Sequence, residues 1–266
     1  MSHRACSLTF NPYSLIPNPM RIKTNERYEL KYLIDWRQRQ AVEAAIAPYM
    51  APDAYGQSGA YTITSLYFDS ADYRAYWEKV DGEGFRRKVR IRAYGNQTVR
   101  PETPVFVEIK QRQNRTLTKK RARLPHAQAV AFDEYEEISQ ALSEEDRAVL
   151  AEIAYLYHTQ ALQPACIVRY NRVAYDGVAP YGDLRVTFDT LLKGRIHDLT
   201  LLSTGYADDR HTLPPQLCIM ELKANTSLPF WLIDVVRKNR CTPQRMSKYC
   251  ATLDNCVSAW KQQRVR

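Results

Sequence analysis

The chain has 266 residues, of which 45% are hydrophobic and 25% are charged, and its formal net charge is +9. This composition is typical of a folded protein and excludes a disordered chain, a collagen and a coiled coil. The charge is concentrated in residues 84–123, which contain thirteen basic and two acidic side chains, so the rest of the chain is close to neutral. The sequence therefore predicts a folded protein with one strongly basic segment.

The two ends and the cysteines bear on domain organisation and location. No stretch approaches the ~18 apolar residues of a membrane span, and the first twenty residues lack the apolar core of a secretory signal. We expect 1–20 to be a disordered tail, with Met1 or Met20 as the start, and 21–266 to be a single cytoplasmic domain. The six cysteines form no C-x-x-C pair and lie among apolar residues. They are predicted to be buried thiols in a reducing compartment.

Alternation of apolar and polar residues predicts the strands. The strand segments are 27–34, 61–68, 85–94, 104–111, 118–124, 166–173, 183–190 and 216–223. Helical periodicity falls between and after them, and it predicts helices at 36–48, 70–79, 126–140, 143–160, 228–238 and 247–262. Ser143 and Ser247 are plausible N-caps. Because no repeated strand–helix unit with a glycine-rich turn occurs, an antiparallel sheet is favoured over a doubly wound parallel one.

Charged residues share faces of these strands. The even positions of 85–94 form a row of cations: Arg86, Lys88, Arg90 and Arg92. In 104–111, Glu108 and Lys110 share a face, and in the last strand Glu221 and Lys223 do so. A single charged face is usually the solvated outside of a sheet. Here, however, like charges crowd neighbouring strands, which is destabilising unless an anion lies between them.

These faces predict the fold. About eight antiparallel strands can close into a barrel that holds one ligand. We therefore expect an α+β protein built on a closed antiparallel β-barrel with a charged interior. Helices are expected to pack around the barrel, with a C-terminal helix at one end.

Guanidinium and ammonium groups that converge in a cavity are suited to phosphate oxygens. Carboxylates in the same cavity are suited to a divalent cation that bridges those oxygens. The sequence contains no G-x-x-x-x-G-K-[ST] loop and no set of kinase motifs. A phosphate site in this chain must therefore be made of side chains.

Nine short motifs follow one another between Arg27 and Tyr249: RYELKYLI, SLYFD, RKVRIRAYG, VFVEIK, KKRARL, RYNRVAY, RVTFD, IMELK and SKY. Each motif alone is weak, but the ordered series resembles the VTC-type polyphosphate polymerase domain of the triphosphate tunnel (CYTH-like) superfamily. The resemblance implies transfer of the terminal phosphate of ATP to a polyphosphate chain, with release of ADP.

Site roles are carried over from this resemblance and from the strand faces. The catalytic phosphate contacts are expected from Lys31, Arg90, Arg92, Lys110, Arg172 and Lys248. Further substrate-binding cations are expected to be Arg27, Arg86, Lys88, Arg121, Arg185 and Lys223. A metal ion, Mn²⁺ or Mg²⁺, is expected at Glu221, with Glu108 and Glu29 as additional ligands. Tyr67 and Asp69 are interpreted as a packing residue and a helix cap.

Other functions remain open at this stage. Many hydrolytic and cyclase members of the superfamily carry E-x-E-x-K in the first strand, whereas this chain has Arg27, Glu29 and Lys31 at those positions. This departure favours the polymerase branch. The alternatives are a triphosphatase or polyphosphatase in the same cavity, and a non-catalytic polyphosphate-binding module.

The expected partners are ATP and inorganic polyphosphate. Nucleic acid is not expected, because helix-turn-helix, zinc-finger and RNP-like signatures are missing. No intrinsic membrane span is predicted, although a membrane-protein partner is compatible with the resemblance. The sequence does not predict the oligomeric state.

Overall fold

The computed structural model describes residues 28–256 except 57, 115, 204, 206–208 and 226. Its strands are β1 (Tyr28–Asp35), β2 (Met50–Pro52), β3 (Ala60–Asp69), β4 (Phe85–Tyr94), β5 (Pro104–Gln113), β6 (Thr116–Pro125), β7 (Gln163–Gly177), β8 (Arg185–Arg195), β9 (Arg210–His211) and β10 (Leu217–Ala224). Its α-helices are α1 (Trp36–Ile46), α2 (Arg74–Val80), α3 (His126–Ala129), α4 (Tyr135–Ser139), α5 (Glu144–Thr159), α6 (Phe230–Lys238) and α7 (Lys248–Cys256). The predicted tail 1–20 and Arg27 lie outside the described residues.

Most predicted elements are found, with changed limits. Ser143 caps α5, because its side chain accepts a hydrogen bond from the Asp146 amide at 3.1 Å. The predicted helix 126–140 is instead two short helices, α3 and α4, separated by a 3₁₀ turn. The short strands β2 and β9 were not predicted, because two or three residues carry too little alternation to identify a strand.

The closed-barrel prediction is wrong. The main strand order is β1-β10-β8-β7-β3-β4-β5-β6, and every pair along it is antiparallel. β2 and β9 pair with β7 and β8 outside this path. Within the described residues, β1 and β6 are the two edges of the sheet and do not pair with each other. The fold is therefore an open ten-stranded antiparallel sheet with helices packed against it.

The open sheet is strongly curved. Lys110 in β5 and Glu29 in β1 belong to strands six positions apart in the sheet order. Six spacings of about 4.8 Å would separate the two strands by about 29 Å in a flat sheet. Yet Lys110 Nζ lies 3.5 Å from Glu29 Oε2. The curvature therefore brings residues of distant strands together on one side, which we call the concave face.

Apolar clusters hold the sheet in this shape. On the convex side, Val107 and Ile109 of β5 pack in one buried cluster with Leu150 and Ile153 of α5. A second cluster, which includes Phe188, joins β1, β8 and β10 to α1 and α6. A third contains tyrosines of the concave face together with residues of α7. The helices thus cover apolar surface that the curved sheet would otherwise expose.

Four of the six cysteines are buried thiols as predicted, and Asp69 has its predicted capping role. Cys256 is free but only partly buried, and Cys6 lies outside the described residues. Cys166, Cys218, Cys241 and Cys250 are free and buried. Asp69 accepts hydrogen bonds from the Ala75 and Tyr76 amides at 2.8 and 3.1 Å and from the Tyr249 hydroxyl. One carboxylate therefore fixes the start of α2 and the first turn of α7.

Among the described helices, none is long and apolar enough to cross a membrane.

Candidate functional site

Glu221, in the middle of β10, lies at the centre of a buried ionic cluster on the concave face. Its side chain is within 2.8 Å of two ammonium groups, and two further cations lie at 3.5 and 3.7 Å. In order of increasing distance, these cations are Lys223, Lys248, Lys31 and Arg172. Burial alone would raise the pKa of Glu221, but these four cations outweigh it and hold that pKa well below 4.5.

Asp189 is a second carboxylate in this cluster, and the sequence analysis missed it. It accepts two hydrogen bonds from the guanidinium of Arg172, at 2.6 and 2.7 Å, and its Oδ2 lies 2.6 Å from Lys248 Nζ. The alternation that places Arg185 and Thr187 on one face of β8 includes Asp189. That pattern could have identified it, since Asp189 lies within the predicted strand 183–190. Asp189 therefore fixes the orientation of two predicted phosphate-binding cations.

The position of Lys248 follows from the start of α7. The Ser247 hydroxyl accepts a hydrogen bond from the Cys250 amide at 3.4 Å, in agreement with its predicted capping role. Lys248, the first residue of the helix, is buried against Glu221, Asp189 and the ring of Tyr170. An exposed lysine in a first helical turn would carry no such set of partners. Helix α7, which is not part of the sheet, thus places the Lys248 ammonium group in the site.

Glu108, in β5, organises a second ionic cluster. Arg90 Nε and Nη2 lie 2.7 and 2.6 Å from Glu108 Oε2, and Lys119 Nζ lies 2.5 Å from Oε1. Arg92 is 4.0 Å away and donates a hydrogen bond to Ser65 at 3.0 Å. Burial would raise the pKa of Glu108, but Arg90, Arg92 and Lys119 lower it far below 4.5.

Two other residues of this second cluster differ from expectation. Tyr67 was interpreted as a packing residue, but its buried hydroxyl also accepts a hydrogen bond from Arg90 Nη1 at 2.8 Å. Burial would raise the pKa of Tyr67, but the nearby Arg90 and Arg92 lower it. Arg121, and not Lys119, was predicted to bind substrate. Lys119 nevertheless makes the ion pair with Glu108, whereas the Arg121 guanidinium lies 4.6 Å from the centre of the Phe106 ring.

Glu29 and Lys110 lie between the two clusters. Glu29 Oε1 is 3.1 Å from Lys31 Nζ, and its Oε2 is 3.5 Å from Lys110 Nζ. Burial would raise the pKa of Glu29, but Lys31 and Lys110 lower it to about 2. Burial lowers the pKa of Lys110 to about 7, more than Glu29 raises it. Burial likewise lowers the pKa of Lys119 to about 8.

These pKa values predict that anion binding is coupled to proton uptake. Because burial lowers both pKa values, more of Lys110 and Lys119 is neutral in the free protein at about pH 8 than at about pH 6, and a bound polyanion favours their charged forms. At about pH 6 both are already charged. Affinity for tripolyphosphate is therefore expected to fall as the pH rises through this range. Calorimetry in buffers of different ionisation enthalpy measures the number of protons taken up.

The matched variants are Lys110→Met and Lys120→Met. Lys120 neighbours Lys119 on the opposite face of β6 and pairs with Glu152 outside the site. Ionisation of tripolyphosphate itself contributes equally to all proteins, so the comparison removes it. We expect less proton uptake at about pH 8 in Lys110→Met, and wild-type uptake in Lys120→Met. Equal uptake in both variants would contradict a neutral Lys110.

The remaining predicted substrate-binding residues lie towards the ends of the concave face. Lys88 Nζ is 3.4 Å from Ser247 Oγ and 4.6 Å from the centre of the Tyr249 ring, at the end closed by α7. Arg86 donates a hydrogen bond to the Glu83 carbonyl at 2.8 Å. At the opposite end, Arg185 forms ion pairs with Asp176 and Asp53. Arg27 lies outside the described residues.

The carboxylates can be compared with the needs of the expected metal ion. In the described part of the chain, no group of three or more His, Cys, Asp or Glu side chains could hold a metal ion. Glu29 and Glu221, however, both lie within 3.5 Å of Lys31 Nζ. Mg²⁺ in phosphoryl-transfer sites commonly takes one or two carboxylates, with phosphate oxygens and water as its other ligands. Both carboxylates are paired with cations in this structure, so an ion that arrives with a phosphate chain would compete with those cations for them.

The clusters together form a buried site with excess positive charge. Eight cationic side chains converge on four carboxylates, so the site carries up to four positive charges in excess. The cations are Lys31, Arg90, Arg92, Lys110, Lys119, Arg172, Lys223 and Lys248. A slender anion with several phosphate groups matches both this charge and its distribution over several strands. The fold and the site thus define a domain with a buried cationic site on the concave face of a curved antiparallel sheet.

Comparison with known proteins identifies the family. Residues 26–257 match the VTC domain, and the chain therefore belongs to the VTC domain family. This confirms the resemblance to a VTC-type domain of the triphosphate tunnel superfamily. The family is linked to polyphosphate polymerase activity and suggests an enzyme of the phosphotransferase type.

Comparisons with curated proteins and with solved structures add no functional information. Among curated proteins, none matches this chain. Among solved structures, the chain is similar to the PH1819 protein of Pyrococcus horikoshii OT3, with 11% identity and a TM-score of 0.44. That similarity covers 86% of this chain and 99% of the other.

Proposed function

We propose that this protein is a polyphosphate polymerase that transfers the terminal phosphate of ATP to a polyphosphate chain and releases ADP. The observation that carries the proposal is the buried excess of positive charge on the concave face, in a chain of the VTC domain family. A hydroxyl or amine acceptor would need a base to remove its proton. The terminal oxygen of a polyphosphate is already ionised, so the site needs only to align and neutralise the reactants.

The chain's residues suit two phosphate groups at once. Arg90 and Arg92 are pre-oriented by Glu108, Tyr67 and Ser65 to contact one of them. Arg172 and Lys248 are pre-oriented by Asp189 to contact the other. In the transfer, a bond forms between the γ-phosphorus and the acceptor oxygen. The bond between that phosphorus and the β–γ bridging oxygen breaks, and ADP leaves with the electron pair.

The expected metal cofactor is Mn²⁺ or Mg²⁺, which Glu221 and Glu29 would hold. It would neutralise charge on the phosphate oxygens. Cationic side chains contact both carboxylate oxygens of Glu108, as they do those of Glu221 and Glu29. Glu108 also holds Arg90 in place.

The test is synthesis of polymer by purified protein. With ATP, Mn²⁺ and a short polyphosphate primer, we expect acid-labile polymer and ADP in equal phosphate equivalents. Release of free phosphate without polymer would instead support hydrolysis of triphosphate or polyphosphate in the same site. Binding of polyphosphate with neither product would support a non-catalytic binding module. The phosphate products are measured by gel electrophoresis and by ³¹P NMR.

A further inference from the structure

Four aromatic rings cluster at the end of the concave face where β3 begins and β4 ends. Tyr61, Tyr94 and Phe106 lie on the same strand faces as the site cations, and Tyr55 covers them from the loop between β2 and β3. The ring centres of Tyr55 and Tyr61 are 5.0 Å apart, and those of Tyr55 and Tyr94 are 5.7 Å apart. Tyr94 meets Phe106 edge to face at 5.6 Å. The aromatic end is therefore continuous with the phosphate-binding clusters.

Described residues next to Tyr55 restrict the backbone of this loop. Gly56 and Gly59 have φ angles of 79° and 74°, and a Cβ at either position would meet a backbone carbonyl oxygen at 2.4 or 2.6 Å. Asp53 accepts a hydrogen bond from the Tyr55 amide at 3.0 Å and also pairs with Arg185. The turn thus holds Tyr55 over the cluster while leaving its side chain 50% exposed. Half of Tyr55 thus stays accessible to a ligand at this end of the concave face.

One guanidinium group connects the rings to the second ionic cluster, and another lies against Phe106. Arg92 lies 5.9 Å from the Tyr94 ring centre and 4.0 Å from Glu108. Arg121 lies 4.6 Å from the Phe106 ring centre and is exposed. An anion bound by Arg90 and Arg92 therefore has aromatic surface directly beside it. A linear triphosphate does not use that surface, whereas a nucleoside attached to the triphosphate does.

We propose that Tyr55, Tyr94 and Phe106 form a stacking subsite for the nucleobase of the phosphate donor. This inference rests on the proposed function and specifies where the donor's non-phosphate part binds. Aromatic stacking is tolerant of base identity, because every base has a π face. ATP and GTP are therefore expected to bind with similar affinity, and nucleotides with the smaller pyrimidine bases more weakly.

The experiment compares two ligands that differ in the nucleoside. Calorimetry with Mg²⁺ measures the binding of a non-hydrolysable ATP analogue and of tripolyphosphate. For Tyr55→Ala we expect about tenfold weaker binding of the nucleotide and unchanged binding of tripolyphosphate. Tyr55→Phe keeps the ring and is expected to bind both ligands as the wild type does. The matched control is Tyr155→Ala, which removes a 63% exposed tyrosine from α5.

The outcomes separate this inference from the proposed function. If Tyr55→Ala changes the binding of both ligands equally, or of neither, the stacking subsite is wrong and the polymerase proposal is unaffected. If nucleotide binding alone weakens but the wild type makes no polymer, the subsite stands and the polymerase proposal fails. If the wild type binds tripolyphosphate but not the nucleotide, both are overturned.

Discussion

Replacement of Glu221 by glutamine is expected to lower the free energy of unfolding by about 3 kcal/mol. Glu221 is 4% exposed and neutralises part of the charge of Lys31, Arg172, Lys223 and Lys248. The glutamine keeps the shape of the side chain but leaves these buried cations with less compensating charge. Removal of one partner from a buried ionic cluster is far more destabilising than loss of an exposed ion pair. Urea unfolding at neutral pH measures the difference.

The Glu221→Gln variant also shows how much of the stabilisation comes from the charge of Glu221, because glutamine keeps the shape of the side chain. Because the pKa of Glu221 is held well below 4.5, its stabilising charge is present at and above that pH. The difference between wild type and variant should shrink only as the pH falls further. Tripolyphosphate restores negative charge and should stabilise Glu221→Gln more than it stabilises the wild type.

The matched control is Glu43→Gln. Glu43 forms one partly exposed ion pair with Arg39 on α1, at 3.1 Å, and we expect a loss of less than about 1 kcal/mol. Equal losses in the two variants would contradict the central role of Glu221 in the ionic cluster. An equal response of wild type and Glu221→Gln to tripolyphosphate would contradict the expected replacement of the missing charge by the ligand.

Much of the concave face could be predicted from alternation along single strands. Arg90 and Arg92 share a face because side chains two positions apart in a strand point the same way. The same rule places Glu108 and Lys110 together, and the observed register pairs Arg90 with Glu108 directly. The position of Lys248 could not be obtained in this way, because it depends on how α7 packs against the sheet.

Two features were harder to predict: which cation pairs with Glu108, and whether the sheet closes into a barrel. Both depend on distances across the sheet. Lys119 and Arg121 share a face of β6, and alternation cannot tell which of them reaches Glu108. In the observed register Arg121 lies opposite Glu108, yet Lys119 makes the ion pair and Arg121 packs on Phe106. Similarly, eight alternating segments are compatible with a closed or an open sheet. Only the observed strand order shows that β1 and β6 remain edges in the described residues.

Replacement of Arg90 by lysine is expected to reduce polymer synthesis by about 100-fold, the effect of removing one pre-oriented charged donor from a transfer site. Lysine preserves the positive charge but not the fork that contacts Glu108 and Tyr67 simultaneously. Because the remaining cations still bind phosphate, we expect a fall in kcat larger than any rise in KM for ATP. Steady-state kinetics of ADP release provides both values.

Arg87→Lys is the matched control for this effect. Arg87 is three residues nearer the start of β4 and lies on the opposite face, where its guanidinium is 5.1 Å from the Phe85 ring centre. Its replacement changes the same residue type in the same strand and should leave polymer synthesis unchanged. A fall in activity shared by both variants would point to damage of β4 as a whole. A fall confined to Arg90→Lys would indicate that the geometry of one guanidinium, held by Glu108 and Tyr67, aligns the phosphate that is transferred.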